Sequence, residues 1–147
     1  MKKARIIFLC IGFIIFAISF AVFAIDEVKS AINSIAVAQN DDIFGASGEW
    51  FWISLNVSLI PLPFLLSELS LIKNGYVLLT SGQPKARKTL CIISSILSLL
   101  IIVMILLVKN RCFEYHICER ILLALWPILI VSFILGFIRI GTAKDSV

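Results

Sequence analysis

Residues 50–73 read WFWISLNVSLIPLPFLLSELSLIK, and how this stretch is read decides the fold. It opens on Trp50 and Trp52, whose amphipathic rings suit the headgroup level of a bilayer. It then runs apolar for most of its length and ends on a lysine. Runs of about eighteen or more mainly apolar residues read as membrane-spanning helices. Residues 50–72 are therefore expected to form one span. Pro61 and Pro63 fall near its middle, where each removes a backbone donor and crowds the preceding turn, so a kink or short break is expected there. Glu68 falls near its end, as a carboxylate inside an apolar run.

The rest of the chain has the same character. Of its 147 residues, 61% are hydrophobic and 15% charged, against roughly 45–50% and about 25% in a soluble domain. A chain this short keeps too much surface to hide that excess in a core. Residues 6–25, 89–108 and 121–140 are three further apolar blocks. Together they predict one all-α integral-membrane domain with four transmembrane helices, and the lipid bilayer as its first partner.

The first block has a second reading. Lys2, Lys3 and Arg5 followed by an apolar run ending Val22-Phe23-Ala24 resemble a signal peptide cleaved after Ala24. The run is long for a signal core and long enough to span, which favours a retained helix. Beyond it, Val28, Ala31, Ile32, Ile35 and Ala38 recur at helical spacing. They predict either an amphipathic helix on the outer surface or a continuation of the first span. Asn40-Asp41-Asp42 and residues 45–48, GASG, are loop signals, as are Asn74-Gly75 and Ser81-Gly82 after the second span.

Small residues mark where helices approach. Ser94 and Ser98 lie four apart on the third span, and Ala124, Ser132 and Gly136 share four- and eight-residue spacing on the fourth. Both patterns predict packing faces.

Orientation follows from Lys and Arg. With the amino terminus inside, the inner side holds Lys2, Lys3, Arg5, Lys73, Lys85, Arg87, Lys88, Arg139 and Lys144. The outer side holds Lys29, Lys109, Arg111 and Arg120. Nine and four account for all thirteen basic residues. Both termini are expected in the cytoplasm of a bacterial-type inner membrane.

That topology sets two expectations about side chains. Cys112 and Cys118 share the second outer loop, KNRCFEYHICER, facing an oxidising compartment, and are expected to pair as a disulfide. The loop they close is short, so the bridge would contribute only about 2–3 kcal/mol. Glu68 and Arg139 fall at similar depth in parallel spans and are expected to form an intramembrane charge pair; the alternative is that Glu68 pairs with Lys73 or a loop lysine, or reaches water.

Catalytic patterns are missing from the sequence. It has no glycine-rich phosphate loop, no H-E-x-x-H and no nucleophile elbow. Cys112, His116 and Cys118 lack zinc-site spacing. The acidic residues Asp26, Glu27, Asp41, Asp42 and Glu49 match no calcium loop. A net charge of +4 without a basic, aromatic-rich stripe excludes nucleic acid as the expected partner. No metal or cofactor is expected. Two function classes stay open. One is a non-catalytic interaction protein, either an immunity factor or an accessory subunit of a membrane complex, with a protein partner in the membrane or a second copy of itself. Membrane immunity proteins against pore-forming bacteriocins are similar in size and span number, a likeness of architecture alone. The other is a small transporter or a membrane thiol-redox component using Glu68 or the Cys112/Cys118 pair.

Overall fold

The computed structural model of the protein describes residues 2–38 and 59–138. Within them the chain is all-helical: α1 is Lys2–Ala38, α2 Pro61–Leu78, α3 Lys85–Lys109 and α4 Tyr115–Phe137. Helices α1 (over Lys2–Asn33), α3 and α4 are long and apolar enough to cross a membrane. The belt residues Trp50 and Trp52 lie outside the described residues.

The first helix is 37 residues, or roughly 55 Å at 1.5 Å per residue. That exceeds the roughly 30 Å hydrocarbon core of a bilayer. The stretch after Ile25 continues α1 without a break, so of the two expectations for it the continuous helix is the one observed. Helix α2 begins at Pro61, after Leu59 in helical conformation and Ile60 at a turn. Both prolines therefore sit in the first turn of a helix. Their missing N–H groups cost nothing there, because the first-turn donors have no intrahelical acceptor. Helix α2 also runs past Asn74-Gly75, which sequence reading assigned to a turn; the chain turns later, through Gly82 at φ 82°. The correction has a packing cause. Asn74 is fully buried and bonded across the bundle, and a Cβ at Gly75 would overlap the Phe8 ring of α1.

Contacts fix the directions. On α1 and α2, Phe23 meets Phe64 with ring centroids 5.0 Å apart, Ser19 meets Glu68, Gly12 meets Ile72 and Phe8 meets Gly75. One series falls as the other rises, so the two helices are antiparallel. Residues 79–84 turn the chain into α3, and residues 110–114 turn it into α4, giving up–down–up–down order. Lys2, Lys3 and Arg5 thus share one end of the bundle with Lys85, Arg87 and Lys88. The other end holds Asp26 and Lys109, joined by an exposed ion pair at 2.9 Å.

Three helices carry a buried seam. On α3 it is Cys91, Ser94, Ser98, Ile101, Ile105 and Val108; on α4 it is Leu122, Leu125, Leu129, Ser132 and Gly136. On α2 it includes Pro63, Ser67, Ser70, Asn74 and Val77. Every step is three or four residues in alternation, the spacing that keeps one stripe facing a neighbour in a gently supercoiled bundle. Ala124 is exposed instead. Eight residues before Ser132 leaves it about 80° around the helix, whereas the seven-residue step from Leu125 leaves about 20°. Helix α1 stands apart from this arrangement: Phe23 is its one buried core residue among those described, and it leans chiefly on α2.

Candidate functional site

The seam divides into two halves. Toward the Lys109 end it is apolar: Phe64, Ile101, Ile105, Val108, Leu122, Leu125 and Leu129 close on Phe23. Toward the basic end it is polar. Ser67, Asn74, Ser94, Ser98 and Ser132 have no exposed surface, and Ser70 has little.

These polar groups meet across three helices. Ser94 and Ser132 bond reciprocally: the Ser94 hydroxyl donates to the Ser132 carbonyl at 2.8 Å, and the Ser132 hydroxyl to the Ser94 carbonyl at 2.9 Å. Ser98 Oγ lies 2.8 Å from Ser132 Oγ, and its proton is free to be given there. Asn74 Nδ2 donates to Ser94 Oγ at 2.8 Å and lies 3.4 Å from Ser70 Oγ. Ser67 returns its proton to the Pro63 carbonyl at 2.7 Å, the acceptor that a first-turn position leaves in reach of an i+4 hydroxyl. Gly136 completes the layer. A Cβ there would stand 3.0 Å from both Asn74 Oδ1 and Ser94 Oγ. Asn74 Oδ1 itself has no hydrogen-bond partner among the described residues.

Lys73 closes the basic end of the layer. Its Nζ donates to the Gly136 carbonyl at 2.6 Å and sits 3.2 Å from the centroid of the Phe137 ring. A lysine at the carboxyl end of a helix satisfies one of its orphan carbonyls and complements its dipole. This occupation also removes Lys73 as a counter-ion for Glu68. Lys73 follows Glu68 by five residues, about 140° around α2, so the two point to different neighbours.

Glu68 faces α1. Its Oε1 accepts a 2.7 Å hydrogen bond from Ser19, and its Oε2 is buried with no partner among the described residues. A cleft of about 260 Å³ opens beside it between α1 and α2, with Ile102 of α3 also on its wall. Arg139, the partner expected from sequence, lies outside the described residues; the last turn of α4 that precedes it meets Lys73.

The expected Cys112–Cys118 disulfide is not formed, and all four cysteines are free thiols. Each loop thiol belongs to a different helix end. The Cys112 N–H bonds the Leu107 carbonyl at 3.1 Å, closing the end of α3. Cys118 lies in the first turn of α4, its N–H on the Glu114 carbonyl at 3.0 Å and its Sγ 3.5 Å from the Phe113 carbonyl. Sequence reading started α4 at residue 121, which left the loop free to close; starting it at Tyr115 places Cys118 on a rigid turn. His116, also in that first turn, is exposed and packs edge-on against Tyr115. No cluster of three or more metal-ligating side chains occurs among the described residues.

Sequence reading named Ser94, Ser98, Ser132, Gly136 and Glu68 but passed over Asn74, Ser67, Ser70 and Ser19. The signal for the α2 residues was present: 67, 70 and 74 follow the same three–four spacing as Cys91, Ser94 and Ser98 on α3. No protein family, curated protein or solved structure matches this chain.

Proposed function

We propose that the chain is a four-span membrane protein of a bacterial-type inner membrane, with both termini cytoplasmic. We propose further that it acts without catalysis, as an interaction protein: an immunity factor or an accessory subunit of a membrane complex. Helix α2 is read as the fourth span because it lies antiparallel to α1 and its 18 residues rise about 27 Å, despite carrying Glu68, Lys73 and Asn74. The basic end of the bundle supports the orientation through the positive-inside bias.

One observation carries the interaction reading. The buried serines and Asn74 of the three-helix seam bond to one another or to backbone, while α1 is held chiefly by α2 and exposes Ile7, Ile11, Ile14, Ile18 and Ile25. The bundle is thus built to be rigid, and its first helix offers a long apolar side for a partner helix. Photo-crosslinking from positions 7, 14 and 18 in native membranes tests this. Adducts of one defined protein mass are expected, from α1 positions and not from Ile130 on α4. Lipid adducts alone would sink the proposal. A reporter fused after Val147 is expected to score as cytoplasmic, and a periplasmic score would overturn the orientation.

The second reading, a small transporter, is favoured by Glu68, an acid in a membrane helix whose second oxygen lacks a partner among the described residues.

A further inference from the structure

Glu68 is a carboxylate in a membrane helix with one hydrogen bond among the described residues. A carboxylate within a span is costly and normally faces a cation or water. Ser19 supplies a single hydrogen bond to Oε1, and Oε2 has none from the described residues. Among the described residues no lysine or arginine pairs with it: Lys73 is committed to Gly136 and Phe137, and the ion pair that does form is Lys109 with Asp26.

The space beside the carboxyl has a definite chemistry. Phe8, Ile11 and Ile15 of α1 repeat at helical spacing along one wall of the cleft, and Leu71 and Ile72 of α2 form the other. Gly12 thins the α1 wall; a Cβ there would come within 2.9 Å of Ile72. Glu68 is the one ionisable residue of the lining. At about 260 Å³ the cleft lies just under the roughly 300–1,000 Å³ usual for small-molecule sites. A purely apolar occupant, such as an acyl chain, would match the walls and leave the carboxylate without a counter-charge among the described residues. An inorganic cation would match the carboxylate and find no other side-chain oxygen in the lining.

We propose that this cleft binds a lipophilic monocation, a quaternary or protonated amine with an apolar body, held between the α1 and α2 walls with Glu68 as its counter-ion. The proposal stands on the cleft and its carboxylate and does not depend on the interaction reading above.

The test uses the full chain in phosphatidylcholine nanodiscs, with radiolabelled benzyltrimethylammonium as the probe and equilibrium dialysis as the readout. Saturable binding is expected for the unaltered protein. Glu68→Gln should weaken it by at least about tenfold, a loss of about 1.4 kcal/mol. Ile11→Trp, which fills the cleft from its exposed side, should weaken it by a similar factor. Glu27→Gln, an acid away from the cleft, should leave it unchanged. The neutral isostere neopentylbenzene should compete poorly. Absence of saturable binding, equal binding by Glu68→Gln, or full competition by neopentylbenzene would each overturn the proposal. If Glu68→Gln does not fold, Ile11→Trp decides, and unchanged binding there overturns it.

Discussion

Replacing Ser132 by alanine tests whether the polar half of the seam holds the helices together. The change removes two interhelical hydrogen bonds, one donated to the Ser94 carbonyl and one accepted from Ser98. Measured interhelical bonds in membranes average about 0.6 kcal/mol each, so their loss comes to about 1.2 kcal/mol. It also strands the buried Ser98 hydroxyl, and an unsatisfied buried group adds about 1–3 kcal/mol where it finds no substitute. Ser98 can turn to a carbonyl of its own helix, which keeps the added penalty near the low end. Ser132→Ala should therefore destabilise the bundle by about 2 kcal/mol. Ser95→Ala is the matched control, because Ser95 donates to Cys91 of its own helix and should cost less than about 0.5 kcal/mol. Reversible unfolding in bicelles, followed by steric trapping, measures both. A Ser98→Ala/Ser132→Ala cycle should show coupling of about 0.6 kcal/mol. If Ser132→Ala costs no more than Ser95→Ala, or if the cycle is additive, the serine layer is not what binds α3 to α4.

Other outcomes follow from single contacts. Gly75→Leu should destabilise by about 1–3 kcal/mol through overpacking against Phe8, and Phe8→Ala should recover part of the loss in the same unfolding assay. Lys73→Met should lower stability by about 1–2 kcal/mol, since it loses the Gly136 carbonyl and the Phe137 ring while keeping an apolar stem; no change would mean that α4 does not need this cap. In membranes without reductant, Cys112 should alkylate rapidly and Cys118, half-buried in the first turn of α4, more slowly; protection of both would restore the disulfide.

The three helices long and apolar enough to cross a membrane, α1, α3 and α4, were legible because composition over about twenty residues is a coarse and strong signal. The faces were harder. Both helix-facing serines of α3 were named from a four-residue step, yet α4 was assigned Ala124, because a step of eight looks like two steps of four. An α-helix turns 100° per residue, so two steps of four drift away from a neighbour that a four-then-three alternation keeps in view. Asn74 shows the opposite failure. Asn-Gly is a strong turn signal in water, where Asn competes for backbone groups and Gly frees the chain. In this bundle Asn74 finds Ser94 to bond and Gly75 admits an aromatic ring, so both properties serve packing inside a helix. The disulfide failed for a related reason. A pair of cysteines in a loop was judged by its compartment, while the geometry was set by where α4 begins, and Glu114 at its amino end gave only a weak boundary signal with no side-chain cap bond. What chemistry Glu68 serves depends on which helix it faces. Its position in the sequence puts it level with Arg139, which lies outside the described residues; the antiparallel register of α1 and α2, set by Phe23–Phe64 above and Gly12–Ile72 below, brings Ser19 to its Oε1. Register between helices is a property of pairs of faces, so no single run of residues could have announced it.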